Sequence, residues 1–274
     1  MYIGNEELDL RVTLIDSAQC FSWRETERGF VSVLRGNPVR FWREADGIHA
    51  EGADRDFLRH YLDLDRDYAA VAEEYAHIPA ARQAISLYPG LRVLNQEPWE
   101  TVISFILSAN NNVARIRKLV SVLCESFGDA YDLDGIKLYG FPAPETLADC
   151  REDSLRALGM GYRAPYLIET AQQVAEGFPI EKLSCMAYEQ AHRALTSLKG
   201  VGDKVADCIL LFGCGHASAF PVDVWVEKLM QSWFGVCGCS RKKMMCLARE
   251  KLGAHAGLLQ QFLFHAARMG DMEL

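Results

Sequence analysis

The stretch "LTSLKGVGDKVADCILLFG", residues 195–213, decides how the rest of the chain reads. An apolar helix end runs into Lys199-Gly200-Val201-Gly202, and a second helix opens at Asp203 and stays nearly all apolar to Gly213. With "YEQAHRA" upstream this reads as helix, tight turn, helix. Gly200 and Gly202 permit backbone angles that other residues avoid. Such a turn leaves N–H groups unpaired at the start of the second helix. Together with the helix dipole they attract an anion, and a DNA phosphate suits them. The backbone of Gly200, Val201 and Gly202 is the expected contact.

Lys204 needs a reason. A cation near a helix N-terminus is disfavoured by about 0.3–1 kcal/mol. A lysine that snorkels into solvent accounts for the charge but not for its neighbours. Alternatively, the positive potential and partial burial favour the neutral amine, a nucleophile able to form a Schiff base. Nineteen residues later, "AFPVDVWVEKL" places Asp223 just after Pro221 at the start of another apolar helix. Aspartate is a good N-cap there. Beside a nucleophilic amine it gains a second use, to stabilise a developing cation or to move protons.

The chain has 274 residues, half of them apolar, enough for one large domain or two modest ones. The net charge of -8 argues mildly against a nucleic-acid partner, but phosphate contacts need only a local basic patch. Residues 1–100 carry 18 acids and 11 arginines with no lysine, whereas the remainder is near neutral. Nine scattered cysteines, several inside apolar helical patterns, suggest a reducing compartment in which cysteine serves as a small hydrophobe. The start "MYIGNEELDL" lacks a signal pattern, and no apolar run approaches the roughly 20 residues of a membrane helix. The expectation is a soluble intracellular protein: cytoplasmic and nucleoid-associated in a bacterium, nuclear in a eukaryote.

Residues 8 to about 50 alternate with period two in "LDLRVTLI", "QCFSWRE", "GFVSVLRG" and "PVRFWRE", which reads as an antiparallel sheet covered on one face. From Asp54 the pattern turns helical and stays so to the end. The expected fold class is α+β, with a small N-terminal β-rich domain over residues 1–85 and a larger helical domain over 86–274.

Taken together, "LKGVGDKVADCILL" and "AFPVDVWVEKL" resemble the helix-hairpin-helix DNA glycosylases, and within them the 8-oxoguanine DNA glycosylases. The resemblance extends through "SAQCFSWRE", "YPGLRVLNQEPWETVISFILSANNNVARI", "LRALGMGYRAPYL" and "AGLLQQFLF", in the family's order across most of the chain. It implies that Lys204 attacks C1′ of a flipped nucleotide and displaces the base, that Asp223 stabilises the sugar cation, and that the strand then breaks by β-elimination. Flipping costs a few kcal/mol before any contact offsets it. The resemblance also implies that Cys208 and Phe264 sandwich the base and that Gln260 meets its Watson–Crick edge. A backbone carbonyl at Ala18, where relatives place glycine, would accept from N7, which is a donor in the oxidised base and an acceptor in guanine. On the opposite strand, Asn110 would fill the vacated space, Tyr162 would wedge the stack, and Arg115 and Arg163 would read cytosine N3 and O2. The expected partner is double-stranded DNA containing 8-oxoguanine, preferentially opposite cytosine, bound by a monomer.

Three departures stand out. Lys199 replaces the proline usual before the hairpin glycines, Trp225 stands where relatives often carry histidine, and only Cys237, Cys239 and Cys246 lie where some relatives bind an iron–sulfur cluster. The expectation is no cluster, no other metal and no cofactor. The run Arg241-Lys242-Lys243 could touch DNA, though a solvated face is its ordinary use. Two other readings remain: a related glycosylase for other oxidised or alkylated bases, and a non-catalytic helix-hairpin-helix DNA-binding module. The latter would need Gly200 and Gly202 but not Lys204, Asp223 and Gln260 together.

Overall fold

Two helices with almost no exposed face organise the molecule. In α4 (Pro98–Ser108) every residue from Glu100 to Leu107 is buried, and in α10 (Asp203–Gly213) every residue from Val205 to Gly213 is buried. A helix apolar all round must be covered on all sides, and the remaining elements do this. The computed structural model describes residues 1–235 and 238–272.

The strands are β1 (Tyr2–Gly4), β2 (Arg24–Thr26), β3 (Gly29–Leu34), β4 (Asn37–Glu44), β5 (Gly47–Glu51), β6 (Ala130–Leu133) and β7 (Ile136–Tyr139). The first five form one antiparallel sheet in the order β1-β5-β4-β3-β2. The other helices are α1 (Arg55–Tyr61), α2 (Tyr68–Glu74), α3 (Pro79–Leu87), α5 (Val113–Phe127), α6 (Pro144–Ala148), α7 (Glu152–Ala157), α8 (Ala164–Ala175), α9 (Tyr188–Thr196), α11 (Val224–Phe234), α12 (Arg241–Leu252) and α13 (Ala256–Met269). None of the described helices is long and apolar enough to cross a membrane. The fold class is α+β, as the sequence implies.

One face of the sheet packs on α1. Trp23 and Phe41 have ring centroids 5.1 Å apart, and the Trp23 indole donates to the Tyr61 hydroxyl at 2.8 Å. The larger core belongs to the helices, but it also takes Phe21 from the sheet side and Tyr68, Val71, Ala81 and Ala84 from α2 and α3, while Leu94 joins the smaller core.

Several expectations of local structure fail. "LDLRVTLI" is not a strand: residues Val12–Asp16 wind as a π-helix. The Asp9 carboxylate accepts from Val12 N at 2.9 Å and starts a helical turn, which short apolar alternation cannot reveal. In "QCFSWRE" only the end is strand. The chain is also not helical to its end, since β6 and β7 form a hairpin. That hairpin covers the second face of β3, where Val31 and Val33 meet Leu138. Its turn residue Asp134 also receives the buried Arg40 guanidinium at 2.9 Å.

The α9–α10 hairpin is closed by one buried polar contact. The Tyr188 hydroxyl donates to Asp207 Oδ1 at 2.6 Å, and Oδ2 has no partner among the described residues. Burial raises the Asp207 carboxyl to about 7, against a smaller lowering by the tyrosine. A carboxyl whose pKa is raised on folding stabilises the native state below its unfolded value and loses that contribution as pH rises through the folded one. We expect Asp207→Asn, which can still accept from Tyr188, to melt above wild type at pH 8. The difference should vanish near pH 4, at about 2–4 °C per kcal/mol of relieved penalty, as read by calorimetry.

Candidate active site

The start of α10 is set by the turn before it. Gly200 has φ +81°, and a Cβ there would sit 2.8 Å from Tyr166 Cδ2, so both conformation and packing demand glycine. Gly202 differs. It is the N-cap, with φ -93°, and nothing lies within 4 Å of where its Cβ would be. Nothing in the protein itself forbids a side chain there, and its absence leaves the turn's outer face open to a close approach. Among the described residues the N–H groups of Gly200, Gly202 and Asp203 make no hydrogen bond, whereas Val201 N donates to Leu198 O at 3.2 Å. Val201 is buried and its N–H closes the turn, so the open N–H groups there belong to Gly200, Gly202 and Asp203.

Lys204 is half-buried at the first turn of α10, with Nζ 5.3 Å from the Phe105 ring centroid. Cys208, one turn further on, is buried; burial pushes its thiol up to about 11, partly countered by the neighbouring Lys204, so the thiol stays neutral. Asp223 is the N-cap of α11, its Oδ1 accepting from Trp225 N and Val226 N, both at 2.9 Å. The second oxygen has no such bond. The capping role and a site role are therefore compatible in one carboxylate. Lys204 and Asp223 line the same cavity without forming an ion pair, so neither is neutralised by direct contact with the other.

The cavity, about 50 Å³, is also walled by Ala18, Phe105, Cys208, Gln260 and Phe264. Gln260 is buried, and its Oε1 has no partner among the described residues, which is costly unless something else occupies it. Ala18 has φ +59°, a conformation costing an alanine roughly 1–2 kcal/mol. Phe105 and Gln261, which also line the cavity, escaped the sequence analysis: each sits in an apolar helix with no local signal.

A groove of about 740 Å³ shares Ala18, Phe105, Lys204, Asp223 and Phe264 with the cavity and runs to Asn110, Trp225 and Arg241. Asn110 is exposed at φ +50°, its Nδ2 3.3 Å from the Tyr162 hydroxyl. Tyr162 is 44% exposed, while Arg163 is only 4% exposed. The Arg163 guanidinium lies 4.4 Å from the Tyr162 ring centroid and donates to the carbonyls of Ala109 and Asn110. Arg115 is exposed and does not line the groove; its backbone N–H is capped by Asn112 at 2.9 Å. Trp225 is 39% exposed on the groove, with Lys228 Nζ 5.6 Å from its ring. Arg241 is paired with Glu227 at 2.8 Å, and Lys199 is exposed beside Glu169. Of the three cysteines considered for a cluster, Cys239 is half-buried, Cys246 is exposed and Cys237 lies outside the described residues. Another cleft, of about 710 Å³, is walled by Glu6, Glu7 and Asp9 with Arg11 and Arg43, and is poorly suited to a polyanion.

A half-buried amine, a carboxylate and a buried, unsatisfied amide oxygen thus line one slot, next to a hairpin with open N–H groups. Residues 1–102 match the 8-oxoguanine DNA glycosylase N-terminal domain, and residues 103–254 match the HhH-GPD superfamily of base excision DNA repair proteins. The chain is 37% identical to a probable N-glycosylase/DNA lyase of Methanothermobacter thermautotrophicus, over 92% of this chain and 90% of that one. It is 36% identical to the N-glycosylase/DNA lyase OGG1 of Arabidopsis thaliana, over 96% of this chain and 78% of that one. Its fold superposes with TM-score 0.91 and 31% identity on the Clostridium acetobutylicum 8-oxoguanine glycosylase/lyase bound to double-stranded DNA with cytosine opposite 8-oxoguanine, covering 97% and 94% of the two chains. The chain belongs to the 8-oxoguanine DNA glycosylases of the helix-hairpin-helix base excision superfamily.

The two hairpin glycines separate folding from binding. Gly200→Ala should cost about 1–3 kcal/mol of stability. Gly202→Ala should melt like wild type yet bind duplex DNA more weakly. Equal affinity of Gly202→Ala and wild type in a fluorescence-anisotropy titration would rule out the turn as a phosphate contact.

Proposed function

We propose that the chain excises 8-oxoguanine from duplex DNA and then cleaves the abasic strand, with Lys204 as nucleophile and Asp223 as its electrostatic partner. The observation that carries this reading is the common cavity of Lys204, Asp223, Cys208, Gln260 and Phe264, residues drawn from three helices. The Nζ lone pair attacks C1′ as the bond to the base breaks and the base leaves with the electron pair. The unbonded oxygen of Asp223 faces the positive charge that grows on the sugar. Loss of an amine proton and opening of the ring give an iminium at C1′. The C2′ proton thereby becomes acidic, and its removal expels the 3′ phosphate.

The Cys208 thiol and the Phe264 ring suit the two faces of a flat base, and Gln260 Oε1 is available for its edge. Asn110 lines the groove and is bonded to the exposed Tyr162, so that a side chain inserted there can replace the flipped nucleotide. Arg163 is bonded to the Ala109 and Asn110 carbonyls. Reading cytosine requires it to exchange them for N3 and O2, with exposed Arg115 as the second donor. With two guanidiniums for those two acceptors, the proposed preference is for lesions opposite cytosine.

Borohydride reduction tests the covalent step. Wild type incubated with an 8-oxoguanine:cytosine duplex should give a trapped complex on a denaturing gel, and Lys204→Gln none. Asp223→Asn, which retains a capping oxygen, should fold but excise the base about 10²-fold or more slowly, as for loss of one preorganised electrostatic contact. A trapped complex that survives in Lys204→Gln would remove Lys204 from the chemistry.

A further inference from the structure

The π-helical segment Val12–Asp16 and the residue after it form an unusual run of acceptors. Ser17 N closes the π-turn on Val12 O at 2.8 Å. The five consecutive carbonyls from Thr13 to Ser17 are each taken by a side chain. Thr13 O accepts from Ser17 Oγ at 2.9 Å and Gln19 Nε2 at 3.1 Å, and Leu14 O from Cys20 Sγ at 3.2 Å. The last three donors come from the helical domain. Arg117 of α5 donates to Ile15 O, Arg268 of α13 to Asp16 O, and Gln261 of α13 to Ser17 O at 2.8 Å. The next carbonyl, that of Ala18, accepts nothing among the described residues, and Ala18 lines the cavity with Gln260 and Phe264. Ala18 is also the residue held at φ +59°. π-helical segments are uncommon and cluster at functional sites, and a strained alanine persists only where its surroundings over-determine it.

We propose that Arg117, Gln261 and Arg268 are positioning residues: by capturing the three carbonyls before Ala18 they force its left-handed conformation and aim its free carbonyl at the base. This rests on the function proposed above. A lone carbonyl is an acceptor only. It rewards a base that presents a donor at N7, as the oxidised guanine does, and repels ordinary guanine, which presents a lone pair there. Neither Arg117 nor Arg268 forms an ion pair among the described residues, so these guanidiniums, both half-buried, are committed to backbone oxygen. An arginine suits this use because it stays charged and donates in a rigid plane. The single turn Gln260-Gln261 serves both ends of the contact: one glutamine offers an oxygen to the base edge, and the other holds the loop opposite.

The test separates base recognition from chemistry. Arg117→Met and Arg268→Met are each assayed under single turnover on an 8-oxoguanine:cytosine duplex and on a duplex with a preformed abasic site, which has no base to read. Excision should slow about tenfold, the loss of one well-placed hydrogen bond, while cleavage of the abasic duplex changes by less than about twofold. Ala18→Gly in the Arg117→Met background should recover much of the excision, because glycine holds a positive φ without being forced. The proposal is overturned if excision is unchanged in both variants, if excision and abasic cleavage fall in proportion, or if Ala18→Gly restores nothing. Failure of wild type itself to excise 8-oxoguanine would sink the proposed function and this role with it. Rapid excision by wild type and both variants alike would overturn the positioning role alone.

Discussion

Nine buried residues in succession, Val205 to Gly213, hold α10 at a single rotation in the core, and the remainder of the site is arranged from that fact. Such a helix cannot turn about its axis without exposing apolar surface, at roughly 25 cal/mol per Å². Lys204, the last residue before the buried run, is therefore aimed by the hydrophobic core. Cys208 follows one turn later on the same face, which puts a neutral thiol beside the amine. A loop could carry the same two residue types, but it could not hold them in this relation.

Features that would be liabilities elsewhere gather around one cavity. Asp223 offsets the dipole of α11 and satisfies two of its N–H groups with one oxygen, leaving the other for the cavity. Gln260 keeps an unpaired oxygen in a buried place, and Ala18 keeps an unfavourable backbone angle. These costs converge on one volume of about 50 Å³. Unsatisfied groups and strain that gather at a single point are the mark of a site that a ligand completes.

The division of charge along the chain follows the same geometry. The acidic first hundred residues form the sheet domain and its flank, where a wide cleft is walled by glutamate and aspartate. The groove that leads to Lys204 belongs mainly to the near-neutral helical part and carries Arg241 and Arg268. A net charge of -8 is therefore compatible with a polyanionic partner, because what matters is the sign at the groove. Ala18, next to the π-helical segment of the N-terminal part, is itself a wall of the cavity.

The hairpin, the lysine, the capping aspartate and the α+β class were legible in the sequence because each is a local matter: glycine angles, a charge at a helix mouth, and apolar periodicity. The pairing of Lys204 with Asp223, and the places of Gln260 and Phe264, came from resemblance and not from spacing, since nothing local says that three helices converge. Only the tertiary structure could decide the π-helix at Val12–Asp16, where period-two alternation suggests a strand, because the carbonyls of Ile15 and Asp16 are captured by Arg117 and Arg268, a hundred residues away or more. It alone shows that Val201 anchors the turn and that Arg163 is folded onto the Ala109 carbonyl. Side-chain chemistry can be read along a chain, but a hydrogen-bond partner distant in sequence is chosen by packing, and packing is settled only when the whole core closes.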